Sequence, residues 1–237
     1  MLTDPPRFSR IIATIGLILG PLVVLAGMIA TPWEDEATTA SYHDALAAHA
    51  GQARVSATLL HFGFVLLLPA ALGLMHLARR ATPKLAHIGG LLAVGGLATL
   101  PGLLVTDFYD LAMAQALPRA QSVEIADAAA AGWAPALMFI SGVLPVFIGT
   151  TVLAVAAWRA GVAQGWAPFV LVAGWLLPLV SGTGLVPAVA GALLILAVFG
   201  SVGVKVARMS DQAWAERSAR SRTTRAKAPK IAVESAA

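Results

Sequence analysis

No charged side chain occurs between Ala160 and Val204. A soluble domain would have to bury that whole stretch, whereas the hydrocarbon core of a bilayer accepts it directly. Four further blocks lack Asp, Glu, Lys and Arg: Ile11 to Trp33, Val55 to Met75, Ile88 to Thr106 and Ala128 to Ala157. A helix rising 1.5 Å per residue crosses about 30 Å of hydrocarbon in roughly 20 residues, which each block approaches or exceeds. The chain therefore reads as an all-α integral membrane protein. Its composition agrees: only 12% of the 237 residues are charged, and the mean hydropathy is +0.80. Ordinary globular chains carry about 25% charged residues.

Six transmembrane helices are expected, over Ile11–Ala30, Val55–Ala78, His87–Thr106, Trp133–Ala157, Trp166–Val180 and Gly184–Val206. The last two share the long neutral stretch and are divided by the turn-forming run Ser181-Gly182-Thr183-Gly184, flanked by Pro178 and Pro187. The fifth is short, so a tilted or re-entrant element is the alternative. Arg7 and Arg10 precede an apolar run longer than a secretory signal core, and bulky Met28 stands where cleavage after Ala30 would need a small residue. A retained first span is expected.

The charges set the orientation. Arg7, Arg10, Arg79, Arg80, Lys84, Arg159 and the cluster Lys205 to Lys230 fall on one side of the six spans. Glu34, Asp35, Glu36, Asp44, Asp107, Asp110, Glu124 and Asp127 fall on the other, with only Arg54 and Arg119 as basic company. Cytoplasmic loops keep Lys and Arg, so both termini are expected in the cytoplasm, in the plasma membrane of a bacterium. The domain division is a six-span membrane domain over 1–207 and a basic, disordered cytoplasmic tail over 208–237. The tail should lie at the anionic inner leaflet with Trp214 as an anchor. Membrane lipids, a small solute or a partner membrane subunit are the expected partners, and no nucleic acid is expected.

On the acidic side, Ser41 to Gln52 is expected as an interfacial helix with a serine cap, and Asp107 to Ala131 as a helix broken at Pro118. Trp33, Trp133, Trp158 and Trp166 fall near span borders, where indoles favour the headgroup region. Within the spans, small residues allow close helix approach: Gly16, Gly20 and Gly27; Gly89, Ala93 and Gly96; Ser141, Pro145 and Gly149; Gly184, Ala188 and Ala192. Gly16 and Gly20 form a G-x-x-x-G that serves either packing within the chain or dimerisation. Pro21, Pro69, Pro101 and Pro145 each remove a backbone hydrogen bond within a span.

Few groups offer chemistry. Arg54, Thr58, His61, His76 and Arg79 fall within roughly 60° of one another on the second span, and Asp107 with Asp110 share a face at i, i+3. Antiparallel contact of spans two and three would bring Arg54, His61, Asp107 and Asp110 together. That cluster is either an interhelical lock or a small polar site with His61 as proton acceptor. His76 and His87 are weak candidates for a b-type haem, since each lies near the inner end of adjacent spans. His43 and His49 are six apart, which turns them to different sides of a helix, so no metal is expected there. The chain has no cysteine and no G-x-S-x-G, H-E-x-x-H, Walker or dinucleotide-binding fingerprint. No cofactor is expected. The reading is a non-enzymatic membrane protein that binds or moves a small solute, or serves as a subunit of a larger assembly. The alternative is a membrane-embedded enzyme or redox subunit using His61, Asp107 and Asp110.

Overall fold

The apolar blocks become long helices because a chain in hydrocarbon must satisfy every backbone N–H and C=O internally. The computed structural model describes residues 4–182 and 184–217. They form ten helices: α1 (Pro5–Ala30), α2 (Thr39–Ala48), α3 (Ala50–Ala78), α4 (Pro83–Leu103), α5 (Thr106–Ala116), α6 (Arg119–Ala130), α7 (Trp133–Arg159), α8 (Ala167–Val180), α9 (Leu185–Ala207) and α10 (Asp211–Glu216). Among the described residues there is no strand. Five segments are long and apolar enough to cross a membrane: α1, α3, the stretch Pro83–Ala116 whose apolar part is α4, α7 and α9. Helix α8 has 14 residues, about 21 Å of rise. It is too short for a perpendicular crossing on its own.

Local signals place the ends. Asp4 accepts the N–H of Arg7 ahead of Pro5 and Pro6, and Pro83 opens α4 after Thr82. A proline in the first turn loses no hydrogen bond. Helix α2 is capped by Thr38, whose hydroxyl accepts the N–H of Ser41. The cap is therefore one turn earlier than the serine expected, and His49 separates α2 from α3. Leu117 and Pro118 break the acidic-side helix, which resumes at Arg119.

The long helices pack in a closed ring. Helix α1 lies between α3 and α9, α3 also meets α4, α4 meets α7, and α8 bridges α7 and α9. Leu17, Leu67, Leu97, Val146, Leu153, Leu171 and Phe199 fill the middle and are almost wholly buried. Helices α2, α5 and α6 pack on one another at one end, the cap end. The opposite end carries Asp4, the α3–α4 and α7–α8 connections and α10.

Lipid tails are as apolar as leucine, so burial of apolar surface does not drive helices together in a bilayer; close packing does. The tightest seams are built from glycine. A methyl group at Gly16 would stand 2.7 Å from the backbone nitrogen of Ala70, and one at Gly63 2.9 Å from that of Val24. The α4–α7 seam repeats the device: a methyl at Gly96 would stand 2.6 Å from the nitrogen of Val146, and Gly149 abuts Ala93. Gly16 and Gly20 are thus consumed within the chain by α3, which leaves neither free for dimerisation.

The segment expected as a tail from Arg208 begins instead with ordered structure. Ser210 caps α10, and Trp214 is 2% exposed. The Trp214 ring stacks on His76 at 4.2 Å with 12° between planes, and its indole N–H donates to Ser9 Oγ at 2.9 Å. Asp211 pairs with Arg10 at 2.7 Å. Trp214 anchors α10 to the bundle, because an aromatic face and a hydroxyl acceptor satisfy an indole that lipid would satisfy only in part. Residues 218–237 of the expected tail lie outside the described residues.

The glycine seams give a sharp test. Gly96→Val should lower the melting temperature in detergent by several degrees, from about 1–3 kcal/mol of overpacking. Gly95→Val, next door with nothing within 4 Å, should leave the temperature unchanged.

Candidate functional site

The most buried polar side chains of the cap come from α2 and α6. His43 is 2% exposed and Ser122 1%. Their positions follow from α2 lying across α5 and α6, with Leu46, Ala53 and Leu111 as a small apolar core beneath. His43 and Leu46 are i, i+3 and share the inward face of α2.

Ser122 Oγ donates to the carbonyl of Arg119 at 3.0 Å. Its single proton is thereby used, so His43 Nδ1, 3.1 Å away, donates to Ser122. The other nitrogen, Nε2, is buried with no hydrogen-bond partner and faces Asp110 Oδ1 at 3.9 Å. That gap is too long for a hydrogen bond. Beside it, Tyr42 Oη donates to Asp107 Oδ1 at 3.1 Å. Four chemically active groups, Tyr42, His43, Asp107 and Asp110, thus converge where α2 crosses α5.

The rim is polar and closed by side-chain pairs. Arg119 grips Asp44 with both Nε and Nη2, at 2.7–3.1 Å, and Thr39 Oγ1 donates to Asp127 at 2.6 Å. These pairs are exposed, and such pairs contribute little to stability. They register α2 on α6.

Burial governs the protonation of the cluster, which lies beyond the end of the α4 span. Burial pushes the Asp107 carboxyl up to about 6; the Tyr42 hydrogen bond opposes this and the neighbouring Asp110 adds to it. Burial also raises Asp110, against the pull of His43. Tyr42 is held far above its usual value by burial and then by Asp107. The arrangement can take up and release protons near neutrality at Asp107 while Tyr42 stays a hydrogen-bond donor.

Only half of the cluster expected from sequence is brought together. Asp107 and Asp110 do share one face of α5, but they meet Tyr42 and His43 and not Arg54 and His61. Leu104 and Val105 separate α4 from α5, and the α5 carboxylates meet side chains of α2. Arg54 Nη2 donates to Gln115 at 3.2 Å. His61 Nδ1 donates to the carbonyl of Pro101 at 3.0 Å, one of the last four carbonyls of α4, which a helix end leaves unsatisfied. His61 ties α3 to α4.

The haem candidates do not form a ligand pair. His76 Nε2 donates to the carbonyl of Trp214 at 3.0 Å and Nδ1 accepts from Arg79 at 3.2 Å, so neither nitrogen is free for iron. His87 Nδ1 donates to Pro83 within its own helix at 2.6 Å. Among the described residues no group of three or more His, Asp or Glu side chains is placed to hold a metal ion. Tyr42 and Ser122 escaped the sequence reading, which weighed His43 only as a metal ligand. The signal was the i, i+3 pairing of His43 with Leu46, which marks His43 as inward-facing.

The raised carboxyl sets a pH dependence. Asp107 binds its proton more tightly in the folded cap than the ordinary 3.8 of an unfolded chain. Its contribution to stability is therefore fully present below about 4 and is lost as the pH rises through about 6. Melting curves in detergent between pH 4 and 7 should show stability falling as the pH rises through this window. Asp107→Asn should flatten that slope. Set against known proteins, the chain matches no family model, no curated protein and no solved structure, and its function is read from the geometry above.

Proposed function

We propose that this is a six-span protein of the bacterial plasma membrane that binds a small solute at its outward-facing cap and carries out no chemical reaction. In this reading both termini are cytoplasmic, and α8 completes the sixth crossing by tilting between α7 and α9. Charge segregation supports the orientation: eight of the twelve acidic residues fall at the cap end, on the cap helices and the loop before them, with only Arg54 and Arg119 of the sixteen basic ones. The membrane domain extends through α10, and the basic sequence beyond it carries charge suited to an anionic leaflet.

The observation that carries the solute reading is His43 Nε2, buried and without a partner, across a 3.9 Å gap from Asp110. An unsatisfied buried nitrogen costs about 1–3 kcal/mol, and a hydrogen-bond donor reaching Nε2 would recover that cost. The solute class that fits carries an ammonium group able to donate one N–H to Nε2 and another to the carboxylate. Entry needs α2 to lift, and what holds it is a small apolar core and exposed rim pairs. The enzymatic alternative is less well supported, because His61 is tied to the Pro101 carbonyl and stands apart from the aspartates' partners.

Native mass spectrometry of gently purified protein tests this. A small non-lipid adduct should accompany the wild type, disappear in His43→Ala and Asp110→Asn, and persist in His61→Ala. An adduct-free wild type, or one indifferent to His43, contradicts the reading. A partner chain in its place would favour the assembly-subunit role.

A further inference from the structure

At the end opposite the cap, α3, α7 and α10 surround a basin of about 530 Å³, within the size range of ligand pockets. Its floor is apolar: Leu77, Ala81, Ala160 and Ala213. Its rim carries Arg80, Arg217 and Glu216. The wall is held in place by the contacts that dock α10, namely Trp214 on His76 and Asp211 on Arg10.

The rim sets two guanidiniums against one carboxylate and is cationic on balance. Arg80 Nη1 donates to the backbone carbonyl of Glu216 at 3.2 Å, which fixes the guanidinium without cancelling its charge. The Glu216 carboxylate accepts from Gln212 at 3.0 Å. The Arg–Asp ion pairs among the described residues are Arg10–Asp211 and Arg119–Asp44, and neither involves Arg80 or Arg217.

We propose that the basin binds one anionic phospholipid, its phosphate held by Arg80 and Arg217 and its first methylenes lying over Leu77 and Ala160. An apolar floor beneath a guanidinium rim matches an amphiphile with a charged head. The following segment of the chain is the competing occupant. It brings Arg220, Arg222, Arg225, Lys227 and Lys230 against one acidic side chain, Glu234, and its charge repels the same rim. This site is separate from the cap. It rests on the proposed orientation only for the leaflet that supplies the lipid, so a binding assay in detergent stands whether or not that orientation holds.

The assay is native mass spectrometry of the full chain with phosphatidylglycerol or phosphatidylcholine of identical acyl chains, and with inorganic phosphate. The wild type should retain one phosphatidylglycerol through detergent exchange and no phosphatidylcholine. Arg80→Gln with Arg217→Gln should weaken retention on the order of tenfold or more without changing the melting temperature. If that double variant misfolds, Arg217→Gln alone should still show a smaller loss. A tail variant with its five basic residues at 220–230 changed to Gln should retain the lipid. Equal retention of both lipids, an unaffected arginine variant, loss in the tail variant, or equal competition by inorganic phosphate would each overturn the proposal.

Discussion

Backbones in this bundle approach one another more closely than side chains would allow, and the rest of the structure depends on that. In hydrocarbon the usual driving force of apolar burial is absent, so helices gain from contact only when their surfaces meet without gaps. Gly16, Gly20, Gly27 and Gly63 remove the obstruction between α1 and α3, and Gly89, Gly96 and Gly149 do so between α4 and α7. Gly174 and Gly191 face each other where α8 meets α9. Three glycine seams therefore hold a ring in which even the short α8 finds two neighbours.

With the spans locked in this way, the polar groups mostly serve helix ends. His61 takes a carbonyl at the end of α4, Arg10 Nη1 takes that of Ala207 at the end of α9, and Lys205 Nζ takes that of Val162 in the α7–α8 connection. Each satisfies a group that hydrocarbon would leave bare. Two buried side-chain atoms among the described residues lack a partner, Thr151 Oγ1 within α7 and His43 Nε2, and only His43 stands in the cap beside other titratable groups. A local rule broken amid general satisfaction is where function is expected to concentrate.

Much of the architecture was legible in the residues. The uncharged blocks mark α1, α3, α4, α7 and the α8–α9 pair, and Pro118 marks the break between α5 and α6. The stripes through Gly16 and Gly20 and through Gly89, Ala93 and Gly96 mark seams, because periodicity reports which face a helix buries, whereas Gly184 of the last stripe caps α9 with nothing near it. Periodicity does not report which distant helix meets that face. Asp107 and Asp110 were identifiable as a pair, yet their partners Tyr42 and His43 lie more than sixty positions earlier, and Pro101 and Gly102, which mark the break before α5, do not say which helix α5 then meets. Helix α10 was hidden for a related reason. A six-residue helix has almost no intrinsic stability, and this one persists through the stacking of Trp214 on His76, a contact that spans most of the chain.

The central claim is that the chain crosses the bilayer six times, with α8 as a full crossing. The chain has no cysteine, so single substitutions read out topology against no background. Cysteines placed at Ala128, Ser181 and Gln164 in otherwise unchanged protein, probed in intact cells with a membrane-impermeant maleimide, test it most directly. Ala128→Cys and Ser181→Cys should label from outside, and Gln164→Cys only after permeabilisation. Labelling of Ser181→Cys and Gln164→Cys from the same side would contradict the account, because α8 would then return to the surface it started from.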